Sequence, residues 1–74
     1  MAKNIDAIYK EIGSRLLKAR RKQGLTQEAL AAESGIASAH IGFIEQGHRR
    51  PTLATLHKLC LPLGLSLEVL FKGL

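Results

Sequence analysis

Residues 27–47, QEALAAESGIASAHIGFIEQG, read as two short helices joined by a tight turn, and that reading decides the fold. Leu30 and Ala31 put apolar atoms on one face of the first helix; Ile41 and Ile44, three apart, do the same for the second. Gly35 breaks the pattern between them, and glycine adopts the left-handed conformation that ends a helix at little cost. Ala31 has almost no side chain where two steeply crossed helices must approach each other. From Ala31 it is four residues to Gly35, six more to Ile41 and three more to Ile44, which is the helix-turn-helix spacing.

Working outward, the chain before this stretch predicts one helix from about residue 4 or 6 to residue 22. Ile5, Ile8, Ile12, Leu16 and Ala19 recur at spacings of three and four and mark its expected buried stripe. Asp6 stands in the first turn and Arg20, Arg21 and Lys22 in the last, as the helix dipole favours, and Gly24 stops it. Gly13 inside this helix costs about 1 kcal/mol relative to alanine, so the segment before it is expected either to fray or to serve a separate purpose. Thr26 is placed to cap the second helix, with Glu28 in its first turn. The third helix is expected over about residues 38–46. Ala37 is a poor cap for it, at a cost of about 0.5–2 kcal/mol unless Ser38 takes over. After residue 47, Thr52 begins a fourth helix whose inward face takes in Leu53, Leu56, Leu59, Cys60 and Leu63. Pro62 is expected to end or kink it early and Gly64 to stop it. Ser66 caps a short fifth helix from residue 67 to about 72, with Leu67, Leu70 and Phe71 available for the core or for a subunit interface. The sequence therefore predicts a single all-α domain over residues 1–74, a compact five-helix bundle.

Length and composition bound what such a domain does. At 74 residues it holds one core and no deep substrate cleft. A domain of about 60 residues buries only about 60% of its unfolded surface, so a core this small is marginal, and dimerisation is a common remedy. Eleven Lys and Arg against six Asp and Glu give a net charge of +5 and a pI near 9.9. That balance favours a polyanionic partner without identifying it; a solvated basic surface is the plainer alternative. The single cysteine excludes an intrachain disulfide and is compatible with a reducing compartment. No apolar run approaches the roughly 18 residues a membrane span needs, and the start, MAKNIDAIYK, lacks a secretory apolar core. A cytoplasmic protein is expected.

With Leu25, Thr26 and Gln27 before it and Glu45, Gly47 and Pro51 after it, the 27–47 stretch resembles the lambdoid phage repressor and Cro family, also called the XRE family. The resemblance runs over roughly residues 13–71, leaving Ile5, Ile8 and Tyr9 outside it for packing against a second subunit or for extending the core. It implies a repressor-like fold that binds double-stranded DNA as a homodimer, with the third helix inserted in the major groove. By resemblance, Thr26, Gln27, Ser38, Ala39, His40, Phe43, Gln46, His48, Arg49 and Arg50 form the DNA-binding surface. Gln27 lies at a helix start, where its side chain and nearby N–H groups meet a phosphate; an ordinary exposed first-turn glutamine is the plain reading. Ser38, Ala39 and Phe43 occupy base-edge positions and His40 one near phosphate. The third helix nonetheless departs from the usual pattern. Hydrogen-bonded base reading relies on Arg, Lys, Asn or Gln, and none stands between Ser38 and Phe43. Ala39 and Phe43 are left to touch thymine methyls, and Phe43 has an equal claim as a packing residue. His48, Arg49 and Arg50 form a basic loop suited to clamping phosphate, or simply a solvated one. The resemblance also pairs Arg20 with Glu45 as a structural ion pair beneath the DNA-facing surface; two unrelated surface charges are the alternative.

Other chemistry is weak. His57 and Cys60, three apart, are two potential metal ligands with no third, and no nucleophile has a plausible partner or cleft. No cofactor and no enzymatic activity are expected. With no effector domain in the chain, the expectation is a repressor that occupies a palindromic operator and is controlled by its concentration or by a separate protein partner, a toxin or an effector. The rival reading is a protein-interaction module on the same fold, in which Ala39, Ile41 and Phe43 form an apolar docking face.

Overall fold

The structure, a computed structural model, describes residues 4–74; the first three residues of the stretch read above for a leader, and of the 1–74 domain, lie outside the described residues. Five helices follow in order: α1 Ile5–Lys22, α2 Gln27–Ser34, α3 Ser38–Glu45, α4 Leu53–Leu63 and α5 Leu67–Phe71. Four of them begin on a side-chain cap. Asn4 Oδ1 accepts from the Ala7 N–H at 2.8 Å, Thr26 Oγ1 from Ala29 at 3.0 Å, Thr52 Oγ1 from Thr55 at 3.2 Å and Ser66 Oγ from Val69 at 3.0 Å. Each satisfies one of the backbone donors that a helix start leaves free. α3 has no such cap. Its N-cap is Ala37, and no side chain, that of Ser38 included, caps its start.

The core is one cluster built on Ile12, Leu16, Leu30, Ile41, Ile44, Leu56, Leu59, Cys60, Leu63 and Leu70. Every helix contributes to it, as a small all-α domain requires if each apolar stripe is to leave water. Two expectations about this core are corrected. Ile5, assigned to the buried stripe of α1, is 48% exposed, because the first turn extends past the end of the bundle's core. Leu53, assigned to the inward face of α4, is 60% exposed; the buried set begins one turn later, at Leu56. Leu70, left open between core and interface, is 1% exposed and belongs to the core. Pro62 does not end α4 early: the helix runs through it to Leu63 and closes at Gly64. A proline so near a helix end removes a single late backbone bond, which the fold tolerates. Burial raises the Cys60 thiol above its ordinary pKa, which keeps it protonated and inert, while His57 on the same helix is exposed.

Polar contacts from α1 fasten the C-terminal half. Arg15 donates through Nη1 to the carbonyls of Leu70 and Lys72, at 2.8 and 2.6 Å, and through Nε to Glu11 at 3.2 Å. It thereby satisfies acceptors left free at the end of α5. Gln23 does the same for α4, donating to the Leu63 carbonyl at 3.2 Å.

Gly13 does not fray α1, which runs unbroken from Ile5 to Lys22. It is buried where α1 crosses the end of α3, and a Cβ there would stand 2.2 Å from the Ile44 carbonyl oxygen and 2.8 Å from that of Glu45. Both are backbone atoms, so relief would require moving one helix off the other. Gly13→Ala is therefore expected to destabilise by about 1–3 kcal/mol or more through overpacking, although alanine at an ordinary helical site gains about 1 kcal/mol over glycine. Thermal melts give the sign: a fall of several degrees is expected, and an unchanged or raised Tm would contradict this close crossing.

Candidate nucleic-acid interface

The turn between α2 and α3 is made by Gly35, at φ 76° and ψ 10°, a left-handed conformation that favours glycine. Its N–H donates to the Ala31 carbonyl at 2.9 Å, and the Ser34 hydroxyl accepts from the Ile36 N–H at 3.2 Å. The chain thus reverses within three residues and α3 starts at Ser38. Ile41 and Ile44, each 1% exposed, lock the inner side of α3 into the core. Ala39 and Phe43 are left exposed on its outer side, with Ser38, His40 and Gly42 half-buried along its flanks.

Beneath this surface lies a buried charge network. Arg20 donates through Nε to Glu45 Oε2 at 2.7 Å and through Nη2 to Oε1 at 3.1 Å, and its Nη1 reaches the Leu25 carbonyl at 2.8 Å. The paired side chains are only 10% and 3% exposed. Hydrogen bonding to Glu45 raises the Arg20 pKa, outweighing the burial that acts against the charge, so the guanidinium stays charged. Gln27 completes the network, its Nε2 donating to Glu45 Oε1 at 3.0 Å. One amide hydrogen expected for a phosphate is therefore spent inside the protein, and the side chain holds α2 against α3. Gly42 lies beside this amide, where a Cβ would stand 3.4 Å from Gln27 Nε2, an ordinary contact. The Arg20–Glu45 pair is the one the resemblance implied; the role of Gln27 within it was not legible.

The remaining residues divide into two groups. Ala39, His40, Phe43 and Arg49 line one shallow hollow together with Ala37, and the Arg49 guanidinium lies over the Phe43 ring, 5.3 Å from its centroid. Arg50 turns the other way. It forms an ion pair with Asp6 on α1 and lies 5.8 Å from the centroid of the Tyr9 ring. The expected His48–Arg49–Arg50 clamp is thus split, with Arg49 beside α3 and Arg50 engaged by α1, a separation that spacing in a loop does not reveal. Gln46 and His48 are exposed at the end of α3, and the Thr26 hydroxyl is occupied as a cap.

If the network behaves as a buried unit, Glu45→Ala should cost about 3–5 kcal/mol by stranding Arg20, whereas an Arg20→Met, Glu45→Met double variant should be more stable than either single one. Gln27→Ala should cost on the order of 1–3 kcal/mol, since its acceptor is charged. Urea unfolding of the set gives the coupling, and additive losses would deny it.

A helix-turn-helix family model matches residues 16–70. The chain is 42% identical over 57 residues, 77% of its own length and 74% of the relative's, to an uncharacterized HTH-type transcriptional regulator, y4dJ, of Sinorhizobium fredii. Its fold is similar to that of the restriction-modification controller protein C.AhdI from Aeromonas hydrophila, with a TM-score of 0.84 and 35% identity over 88% of this chain and 98% of that one. It is also similar to the controller protein C.Esp1396I, solved as a tetramer in complex with its natural 35 base-pair operator, with a TM-score of 0.80 and 28% identity over 93% of this chain and 88% of that one. Sequence match, fold and the α2–turn–α3 geometry agree, and the chain belongs to the XRE-type helix-turn-helix family of transcriptional regulators, which are not enzymes.

Proposed function

We propose that the protein is a sequence-specific double-stranded DNA-binding repressor that acts in the cytoplasm as a homodimer on a palindromic operator. The observation that carries this reading is the two-sided character of α3. Its inner side is fixed by Ile41, Ile44 and the buried Glu45, while its outer side presents the exposed Ala39 and Phe43, with Arg49 over the ring. A helix so held lies in a major groove without losing core contacts. The net charge of +5 supplies general attraction to phosphate, and one structural neighbour was solved on its operator. Ser38, Ala39 and Phe43 face base edges, while phosphate contacts fall to Gln27, with its remaining amide hydrogen, to His40 on α3, and to Gln46, His48 and Arg50 after it. Arg50 exchanges Asp6 for phosphate. Repression is steric: an occupied operator excludes polymerase.

Dimerisation is supported by a second surface. Ile5, Ile8, Tyr9, Leu53, Phe71 and Leu74 border an apolar hollow of about 310 Å³ where α1, α4 and the end of the chain meet. Ile5 and Leu53 form its exposed rim. Covering it with the same surface of a second copy gives a two-fold arrangement, the commonest closed symmetry; a helix-turn-helix dimer on a palindrome meets half-sites about 34 Å apart. Sedimentation should show a dimer at micromolar concentration or on DNA. Leu53→Glu should shift it toward monomer and weaken operator binding; a strict monomer in both conditions contradicts the homodimer.

The test of the function itself is recovery of DNA. Genomic fragments captured by the protein should share a short palindrome, and Ala39→Glu should abolish their binding while leaving the melt unchanged. In the groove that carboxylate is brought against DNA with no room to rehydrate, at a cost of several kcal/mol. Folded Ala39→Glu protein that binds DNA like the parent would overturn the reading. It would leave instead a protein-interaction module docking a toxin or effector through Ala39 and Phe43, but not through Ile41, which the core takes up at 1% exposure.

A further inference from the structure

α3 as it stands, SAHIGFIE, contains no Arg, Lys, Asn or Gln. Ser38 and His40 offer no pair of parallel donors, and guanine is read most firmly by a planar fork that meets O6 and N7 together. That fork is present in space though absent from the helix. The Arg49 guanidinium lies over the Phe43 ring, 5.3 Å from its centroid, and both share the hollow on the outer side of α3 with Ala39 and His40. The ring lies against one side of the guanidinium, a cation–π contact, and Arg49 is otherwise exposed, so its N–H donors are open to a ligand. Among the described residues Arg49 makes no hydrogen bond, whereas Arg20 donates to Glu45, Arg15 to the end of α5 and Arg50 to Asp6.

We infer that Arg49 reads a guanine edge in the major groove, with Phe43 as the positioning residue that fixes the plane of the guanidinium. The inference rests on the DNA-binding function proposed above and names the residue that supplies its specificity. A phosphate contact is the competing role for this arginine, but a phosphate accepts a lysine as a point charge and requires no fixed plane. A base edge does require one. The ring platform, and the position of the guanidinium alongside α3 instead of past its end, favour the base.

The test selects binding sites from a random double-stranded oligonucleotide pool with the full chain and its variants, with melts run on the same samples. The parent should select a site carrying one fixed guanine per half-site. Arg49→Lys keeps the charge and loses the fork. It should make that position degenerate, bind the selected site about 5- to 150-fold more weakly and leave binding to scrambled DNA and the salt dependence near those of the parent. Phe43→Leu should relax the same position, and Phe43→Tyr, which retains the ring, should restore it. Both residues are exposed, so the fold should survive each change. An Arg49→Lys protein that selects the parent's site at the parent's affinity overturns the inference while leaving the DNA-binding function intact. A parent that selects no site at all removes both.

Discussion

A buried carboxylate sets the terms for the rest of this small domain. Glu45 sits at the last turn of α3 with its side chain 3% exposed, and a charge so placed is tolerable only if its acceptor positions are filled by donors. Arg20 fills two of the bonds from α1, and Gln27 fills another from the start of α2. One side chain therefore ties the helix that would enter DNA to the two helices that support it. A hydrophobic contact in the same place would tolerate sliding and rotation, since apolar packing is not directional. A bidentate pair joined by an amide does not. The network contributes orientation more than net stability, because desolvation offsets much of the attraction between its charges.

This directional tie is matched by one close approach that leaves no space for a side chain. α1 meets the carbonyls of Ile44 and Glu45 at Gly13. The crossing lies next to the charged network, at the backbone of Glu45 itself. The consequence is an α3 with a rigid inner half, locked by Ile41, Ile44 and Glu45, and an outer half free of structural duty. The missing N-cap at Ala37 is a local weakness that this tertiary support offsets.

Charge is divided with equal consequence. The loop after α3 carries three basic or imidazole side chains in a row, yet the structure sends neighbouring arginines in opposite directions, Arg49 onto Phe43 and Arg50 onto Asp6 and Tyr9. A run of like charges thus becomes one cation associated with α3 and one associated with α1. Free rotation of exposed side chains would have left them equivalent. Aromatic faces on two different helices make them distinct.

The helices, their order, three of the caps and the turn at Gly35 were legible in the sequence because each depends on residues within one or two turns of one another. Apolar spacing, cap hydroxyls and glycines are local signals. The Arg20–Glu45 pair was legible only through family resemblance, since nothing local joins residues 25 positions apart. What tertiary structure alone decided is where neighbours in space override neighbours in sequence. Gly13 read as a weak point until the α3 carbonyls appeared against it. Leu53 and Ile5 fitted apolar stripes, yet lie beyond the core's edge. Gln27 read as a phosphate ligand and is partly committed to Glu45. The Arg49–Phe43 cation–π contact joins a loop to a helix face, and no periodicity encodes it. Local chemistry set the elements, and their mutual approach, limited by hard contacts and by buried charges that must find partners, set which side chains remain free to act.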